Sequence, residues 1–573
     1  MFSTEYPSRR SVVHSVRGMA SSSQPLASAA AVKILDKGGN APMAAVAMAA
    51  AIGVLEPHMT GLGGDVFSLY YEAKTKKVHG INGSGHSPMA SSIELLRKDG
   101  VTGPRIPTSS VYSVTVPGAV AGWIDVVEKW GNGKLTMAEI LEPAISLAEN
   151  GAPISRISAE SWANGAERLL NTSPNGGELL IDGKRSPKES EVFINKGMAE
   201  VLKRIAKHGK DGYYKGETAD AIVQVVKEKG GVMTHEDLEA HKSKFVEPIN
   251  VDVDEKIKLH ELPPNGQGVV ALIALGIIKQ LEKKGVVNTK TLKHNSVEYL
   301  HLIIECLKYA FKDAEEFVTD VDKLDYDPND LLSEEFLAER AKLFDPTKAN
   351  EKFDHGVLNP ARKSDTAYFT CTDEEGNACS FIASLYMGFG SAIVPKGCGF
   401  SLQNRGCNFN LTPGTRNTFG PNKRPYHTII PAMITNVEDD SLYATYGVMG
   451  GFNQPQGHLQ VAYNLELFGM NPQEALDAPR MCMYADTTTP DSGLGSDSPI
   501  STVRTIVGLE EGISPEVVAG LEKLGHSVKL VTGPGRSLFG RGQVIRSNLA
   551  QNGRVSYSAG SDLRGDGAAI PQL

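Results

Sequence analysis

The segment 41–55, APMAAVAMAAAIGVL, is apolar on every face that a helix would present. Because such a helix has no face suited to water, other elements must enclose it on all sides. Long helical patterns precede residue 365 and β-prone runs follow it, so the composition of the chain changes at that point. The pattern therefore predicts sheets sandwiched by helices, and a chain of 573 residues with a hydrophobic fraction of 41% can bury a core of that size.

Alternating and β-branched runs predict several strands along the chain. Residues 66–82 indicate a strand, a polar turn and a second strand, and residues 366–386 indicate a hairpin around the turn DEEGN. Thr234, followed by acidic residues, predicts the N-cap of a short surface helix. We expect the polar segment 1–25 to run over the surface. Further strands are predicted in HTIIPAMI, SLYATYGV, HSVKLV, GQVIRSNL and RVSYSAG.

Charge and apolar patterning exclude several classes of protein. The formal net charge is −9 with acids and bases interleaved, so the chain lacks the clustered positive charge that nucleic acid binding needs. No run approaches the ~20 apolar residues of a membrane span, and the N-terminus lacks the apolar core of a secretory signal. The six cysteines include no C-x-x-C pair. These features predict a cytoplasmic globular protein with reduced thiols, and with neither nucleic acid nor membrane as a partner.

No residue pattern predicts a metal or a nucleotide. His235 and His241 are six residues apart, which misses the spacing that places two zinc-binding histidines on one helical face. The glycine-rich segment 61–64 lacks the Lys-Ser/Thr of a phosphate loop. No G-x-S-x-G elbow indicates a serine triad. We therefore expect no metal and no organic cofactor.

Thr366 stands at the head of a predicted buried strand, directly after the polar stretch 348–365. A Thr in this setting suits an N-terminal nucleophile. Cleavage before it would free an α-amine, whose pKa of roughly 7.7–8.0 allows it to act as the general base. Threonine also begins many purely structural strands, so this position alone leaves both interpretations open.

Longer blocks on both sides of Thr366 resemble the gamma-glutamyltransferase family of N-terminal nucleophile hydrolases. After it, the resemblance rests on TAYFTCTDEEGNACSFIASLYMGFGS, RPYHTIIPAMI, YGVMGGFNQPQGH and SDLRGDG. Before it, the matching blocks are SQPLASAAAVKILDKGGNA, LEPHMTGLGGDVF, SVTVPGAVAGW, KLTMAEILEPAISLAENG, THEDL and LPPNGQG. The resemblance extends from about residue 10 to the C-terminus.

This resemblance implies an α/β (α+β) fold, the four-layer αββα sandwich of the N-terminal nucleophile hydrolases. It also implies a proenzyme that cuts itself between Asp365 and Thr366. The products would be a large subunit, 1–365, and a small subunit, 366–573, derived from one precursor. Whether such heterodimers assemble further into a homo-oligomer stays open.

The resemblance also assigns catalytic roles by position. Thr366 falls on the nucleophile, and Ser384 falls on the hydroxyl residue that steadies it. Gly450 and Gly451 fall on the pair whose backbone N–H groups form the oxyanion hole. Glycine suits this position because a side chain would obstruct the approach of the backbone to the developing oxyanion.

Several positions depart from the glutathione-cleaving members of the family. Ser84 stands where those members hold the substrate α-carboxylate with an Arg, and Tyr386 replaces the Asn after the steadying hydroxyl. Arg405 and Asn408 replace a Gln and an acid that grip the α-amino group. The other predicted substrate-binding residues are Asn404, His427 and Thr428. Arg405 favours an acyl group that has a carboxylate but no α-amine, although Arg405 paired with a core acid and His427 as a core histidine are alternatives.

Together these features predict an enzyme, an amidohydrolase or acyltransferase that passes an acyl group from a small amide to water or to an amine acceptor. The family's default substrate is a gamma-glutamyl amide. The motifs NGSG, SLYMGFGS, RPYHT and GGFNQPQGH look closer to the branch with oxamate amidohydrolase and glutaryl-type cephalosporin acylases. An oxamate or glutaryl amide is therefore the alternative substrate. A non-catalytic homologue that serves as a binding subunit is the alternative from another class.

Overall fold

The computed structural model describes residues 10–350, 365–485, 505–549 and 554–573. Within these ranges, no helix has both the length and the apolar composition needed to cross a bilayer. All six cysteines are buried free thiols.

The strands, in chain order, are β1 (Val13–Ser15), β2 (Met19–Ser22), β3 (Asp65–Glu72), β4 (Lys77–Gly83), β5 (Ala152–Pro153), β6 (Val192–Phe193), β7 (Lys244–Val246), β8 (Ile249–Asp252), β9 (Ile257–Glu261), β10 (Asp365–Thr372), β11 (Ala378–Tyr386), β12 (Ala432–Asn436), β13 (Leu442–Val448), β14 (Met481–Ala485), β15 (Thr505–Glu510), β16 (Val528–Val531), β17 (Gly542–Leu549), β18 (Val555–Ser561) and β19 (Ala568–Pro571).

The α-helices, in chain order, are α1 (Pro25–Asp36), α2 (Ala41–Leu55), α3 (Ile93–Lys98), α4 (Ala119–Trp130), α5 (Met137–Asn150), α6 (Arg156–Thr172), α7 (Lys196–His208), α8 (Asp211–Tyr214), α9 (Gly216–Glu228), α10 (His235–Glu239), α11 (Gly268–Lys283), α12 (Val297–Phe317), α13 (Glu334–Ala341), α14 (Asn453–Glu466), α15 (Pro472–Asp477) and α16 (Pro515–Lys523). Thr234 caps α10 as predicted, because its hydroxyl accepts from the Asp237 N–H while the Asp237 carboxylate accepts from the Thr234 N–H.

Two seven-stranded antiparallel sheets form the centre of the molecule. The first has the order β1-β18-β17-β13-β12-β9-β8, and the second has the order β19-β2-β10-β11-β3-β4-β7. An apolar layer that includes Phe67, Tyr368, Ile382 and Met433 lies between them. The sheets therefore pack face to face, with β10 near the middle of the second sheet and β13 near the middle of the first.

Helices cover the outer face of each sheet. On the second sheet, Phe369 and Phe381 join the core cluster that contains α2, and all 15 residues of α2 are buried, as its composition predicts. On the first sheet, Ile434 and Tyr446 join the cluster that contains α11 and α12. The order of layers is helix, sheet, sheet, helix, which confirms the predicted αββα sandwich.

Strand β10 turns Thr366 toward the space between the sheets. Side chains alternate across a strand, and Phe369 packs with the outer helices whereas Tyr368 packs between the sheets. Thr366 shares the parity of Tyr368, and the two lie on the same inner face. The hairpin to β11 is antiparallel and runs as far as the pairing of Asp365 with Tyr386.

Two local expectations are wrong. Part of segment 1–25, which we expected on the surface, forms β2, whose four residues are all buried between β19 and β10. The predicted strand HTIIPAMI begins only at Ala432. Before Pro431 the backbone bonds elsewhere, since the His427 N–H donates to the Asn265 carbonyl at 2.8 Å and the Ile430 N–H to Gln454 Oε1 at 2.9 Å. Proline has no N–H to extend the ladder.

Candidate active site

The hydroxyl groups of Thr366 and Ser384 lie together between the sheets. Thr366 Oγ1 donates to Ser384 Oγ at 3.1 Å, and both side chains are buried. The Tyr386 N–H donates to the same Ser384 Oγ at 2.7 Å, and Tyr386 has a φ of +79°, which is uncommon for a residue with a side chain. The backbone N–H at the end of β11 thus fixes the Ser384 hydroxyl, which in turn orients the Thr366 side chain.

Strand β13 brings the glycine pair to the end of the sandwich at which Thr366 lies. Across the sheets, Thr370 Oγ1 lies 2.8 Å from Thr445 Oγ1. Two residues further along β13 and two residues back along β10, a Cβ added to Gly447 would lie 2.5 Å from the Tyr368 ring. The two strands therefore run in opposite directions past each other, so the beginning of β10, with Thr366, lies toward the end of β13, which leads into Gly450.

Gly450 and Gly451 have backbones that favour glycine and N–H groups that are free to bind an anion. Their φ angles are +126° and +58°, in the region that side chains rarely adopt. Among the described residues, neither N–H donates a hydrogen bond, whereas both carbonyls accept from the first turn of α14. The pair also stands at the N-terminus of this helix, where the dipole favours negative charge. The geometry suits an oxyanion hole.

Arg405 donates hydrogen bonds to two hydroxyl groups of this site. Its Nη2 donates to Ser384 Oγ at 3.1 Å and its Nη1 to Thr428 Oγ1 at 2.6 Å, and its guanidinium lies over the Tyr386 ring. The side chain is wholly buried and forms no ion pair within the described part of the chain. Burial lowers the pKa of Arg405 to about 10, so it is still charged at neutral pH. The alternative in which Arg405 pairs with a core acid is not what the structure shows, and a direct contact with substrate stays a prediction.

Gln267 is a site residue that the sequence reasoning did not single out, although LPPNGQG was among the matching blocks. Its Nε2 donates to the carbonyls of Thr428 and Gly451, at 2.8 Å each. The Tyr426 hydroxyl donates to its Oε1 at 3.1 Å. Gln267 thus ties the glycine pair to the residue that Arg405 holds. A buried amide inside a matching block was the signal available in the sequence.

His427 and Ser84 lie in a neighbouring buried network. His427 Nε2 is 2.9 Å from Asp65 Oδ2, and burial together with Arg405 lowers the pKa of His427 to about 4. At neutral pH the ring is therefore uncharged and donates to Asp65. Ser84 Oγ accepts from Asn265 Nδ2 at 3.2 Å. These contacts are typical of a satisfied core histidine and a satisfied core serine, and their predicted contacts with substrate remain untested predictions.

Asn404 and Asn408 flank Arg405 on a short helical turn. Asn404 Nδ2 donates to the Thr108 carbonyl at 3.0 Å. Asn408 Nδ2 donates to the Tyr426 carbonyl at 3.2 Å, and Asn408 lines a small pocket beside the glycine pair. Of the predicted substrate-binding residues, Asn408 is therefore the one that the described pocket exposes to a ligand.

One cluster has ligand spacing that the sequence did not indicate. Among the described residues, His301, Glu305 and His526 bring their ligand atoms within 4.8 Å of one another. His301 Nδ1 already bonds His526 Nε2 at 2.8 Å, and Glu305 Oε1 pairs with Lys308 Nζ at 3.0 Å. A neighbouring ammonium group opposes a cation, so these contacts fit a satisfied internal network.

Similarity to known proteins agrees with this geometry. A family profile described as Gamma-glutamyltranspeptidase matches residues 27–572. The chain is 34% identical to a glutathione hydrolase-like proenzyme of Bacillus subtilis, over 95% of this chain and 96% of that protein. It is 31% identical to the oxamate amidohydrolase proenzyme of Klebsiella pneumoniae, over 97% of this chain and 98% of the relative.

Solved structures show the same likeness. The crystal structure of a cephalosporin acylase from Bacillus halodurans superposes with a TM-score of 0.84 at 37% identity, over 99% of this chain and 98% of that one. A Helicobacter pylori gamma-glutamyltranspeptidase chain superposes with a TM-score of 0.53 at 26% identity, over 57% of this chain and 92% of its own. The chain belongs to the gamma-glutamyltranspeptidase family and is an enzyme of that family.

Proposed function

We propose that this chain is a proenzyme that cleaves itself between Asp365 and Thr366 and then acts as an N-terminal threonine amidohydrolase. The observation that carries the proposal is the Thr366 hydroxyl, held by Ser384 at 3.1 Å at the end of the sandwich where β13 leads into Gly450 and Gly451, whose N–H groups donate to no described residue. Cleavage there yields a large subunit, 1–365, and a small subunit, 366–573. Names of relatives that include the word proenzyme support this step.

The chemistry of the mature enzyme follows from these positions. Thr366 Oγ attacks the amide carbonyl of the substrate while the freed α-amine takes the hydroxyl proton. The N–H groups of Gly450 and Gly451 bind the oxyanion of the tetrahedral intermediate. This intermediate collapses, the C–N bond breaks, and the α-ammonium returns the proton to the departing amine. Water or an amine acceptor then attacks the Thr366 ester and releases the acyl group.

The substrate in this proposal is a gamma-glutamyl or related acyl amide. An oxamate or glutaryl amide hydrolase without gamma-glutamyl preference is the alternative, supported by likeness to an oxamate amidohydrolase and to a cephalosporin acylase. We propose that the enzyme works in the cytoplasm, with the two subunits as its constant partners.

Self-cleavage is tested on a denaturing gel. We expect the purified wild type to give two fragments, and Thr366→Ala to remain one polypeptide because it lacks the attacking oxygen. Thr366→Ser keeps a hydroxyl and should still cleave, more slowly. Thr372→Ala is a matched control in the same strand, because the buried Thr372 hydroxyl has no hydrogen-bond partner among the described residues. Efficient cleavage of Thr366→Ala between Asp365 and Thr366 would refute the mechanism and indicate an outside protease.

Substrate class is tested by a hydrolysis screen of the matured protein. The screen compares gamma-glutamyl, glutaryl and oxamate amides at equal enzyme concentration. We expect glutaryl and oxalyl amides to be cleaved better than gamma-glutamyl amides. If gamma-glutamyl amides are clearly the best substrates, the family's default activity stands. A matured protein that hydrolyses none of these amides would instead support the non-catalytic alternative.

A further inference from the structure

A small pocket opens beside the glycine pair, and the mechanism above does not use it. Its walls include Arg105, Glu315, Asn408, Tyr426 and Phe452. Phe452 directly follows Gly451 in the chain, and the Tyr426 hydroxyl bonds Gln267, which in turn bonds the Gly451 carbonyl. The pocket is therefore linked to Gly451 both along the chain and through Gln267.

Arg105 is the unsatisfied charge in this pocket. Within the described residues its guanidinium makes no hydrogen bond and no ion pair, although the residue is half-buried. Burial lowers the pKa of Arg105, and the nearby Tyr386 and Glu315 oppose that effect. A guanidinium carries five N–H donors in a planar fork that matches a carboxylate. In Arg105 all of these donors are available to a ligand.

Glu315, the acid among the pocket-lining residues, attracts Arg105 through space but, within the described part of the chain, forms no ion pair with it. Glu315 Oε2 accepts from Lys312 Nζ at 2.9 Å, so its charge already has a partner. The other polar side chains of the lining are neutral, and the rings of Phe409 and Phe452 complete the wall; these polar residues are Asn408, Asn410, Thr415, Asn417 and Tyr426. The balance of charge therefore favours an anion in this pocket.

The room in the pocket suits a small anionic group. Its cavity volume is about 40 Å³. By the same measure one water molecule needs roughly 10–15 Å³. A carboxylate fits, with its two oxygens facing the guanidinium fork.

We propose that Arg105 binds the distal carboxylate of the acyl group, which makes the substrates amides of short dicarboxylic acids. This inference rests on the proposed function, since it names the group that selects the substrate of the same site. It gives the carboxylate contact to Arg105, whereas the sequence argument placed it on Arg405, which is occupied by the hydroxyls of Ser384 and Thr428. Arg105 is half-enclosed in a proline-flanked loop, where no sequence pattern marked it.

Two substrates that differ only in the distal charge test this assignment. One is glutaryl p-nitroanilide, and the other is its neutral analogue, in which the distal carboxylate is a primary amide. We expect wild-type enzyme to prefer the carboxylate, and Arg105→Gln to reduce the ratio of the two kcat/KM values by about 10- to 100-fold, the size of one lost charge-assisted hydrogen bond. The change should lie mainly in KM. Arg105→Lys, which keeps the charge without the fork, should retain part of the preference.

Arg416→Gln is the matched control. It removes one positive charge from a half-buried residue next to the pocket-lining Thr415, where Arg416 pairs with Asp325 at 3.0 Å. We expect Arg416→Gln to leave the substrate ratio unchanged. Self-cleavage on a gel shows that each variant is folded. An unchanged ratio in Arg105→Gln, or an equal change in both variants, would overturn the assignment while turnover persists and the proposed function stands. A matured wild type that hydrolyses neither of these amides and no gamma-glutamyl or oxamate amide would refute the proposed function itself.

Discussion

Buried arginines in this protein differ in whether a carboxylate pairs with them. Arg480 and Arg564 lie with Asp562 and Glu510, with an Arg480–Asp562 distance of 2.7 Å and an Arg564–Asp562 distance of 3.0 Å. All four side chains are at most 2% exposed. Arg405 is equally buried, yet its hydrogen-bond partners among the described residues are the hydroxyls of Ser384 and Thr428.

The difference separates structural charge from charge at a working site. Burial alone would raise the pKa of Asp562, but Arg480 and Arg564 outweigh it and hold this pKa at about 2. That cluster is fully paired and joins the C-terminal SDLRGDG block to the strands around it. Burial lowers the pKa of Arg405 to about 10, Tyr386 and Asp65 oppose this only in part, and no described carboxylate lies within ion-pair distance of Arg405. Uncompensated buried charge is destabilising, and it is a feature that functional sites retain.

The largest effect should come from breaking the paired cluster. Asp562→Asn leaves two buried guanidinium groups short of their carboxylate, and we expect a loss of about 3–5 kcal/mol in the free energy of unfolding. Denaturant unfolding of the matured protein measures it. Asp325→Asn, which removes an exposed partner of Arg416, is the control and should cost less than about 1 kcal/mol. Equal losses in the two variants would remove the distinction between this cluster and a surface pair.

The next largest effect should be on turnover, with the free energy of unfolding unchanged. Gly451→Ala should lower kcat by ~10²- to 10³-fold, which is typical for the loss of one oxyanion donor. Gly469→Ala controls for backbone strain, since Gly469 has a similar φ of +64° but open space around its Cα. If the two alanine variants are equally active and well folded, Gly451 does not belong to the oxyanion hole.

A smaller effect tests whether Arg405 serves the site or the fold. Arg405→Met removes the bond to Ser384 Oγ, and we expect kcat to fall by about 10- to 100-fold. Because the replacement also removes an uncompensated buried cation, the free energy of unfolding should stay the same or rise. Arg480→Met provides the contrast, as it should destabilise the protein. A strongly destabilised Arg405→Met with normal turnover would make Arg405 another structural residue.

The smallest effect is the acid response of the paired cluster. The pKa of Asp562 is depressed from 3.8 to about 2 in the folded protein. Its stabilising contribution, of about 2 kcal/mol, is therefore complete above about pH 5 and disappears as the pH falls toward 2. Unfolding free energies measured between pH 5 and pH 3 should decline less steeply in Asp562→Asn than in the wild type. Parallel declines would show that other groups control acid unfolding.

Much of the fold could be read from local patterns. The enclosed helix α2 follows from a composition that leaves no polar face, and the hairpin of β10 and β11 follows from two β-prone runs around a turn. Strand β2 could not be read in this way. Its sequence, Met-Ala-Ser-Ser, has no β-branched or aromatic residue, and it forms a strand because β10 and β19 offer hydrogen bonds on both sides.

The sequence by itself determined the order of the blocks, the family resemblance and the candidacy of Thr366, Ser384 and the glycine pair, because these features lie in continuous motifs. Only the tertiary structure decided which charges are paired. The sequence does not distinguish Arg405, Arg480 and Arg105. In the structure, residues far apart in the chain supply hydroxyls to Arg405 and a carboxylate to Arg480. Among the described residues, Arg105 has no hydrogen-bond or ion-pair partner. Pairing depends on distances of a few ångströms between strands and loops, and no local pattern carries that information.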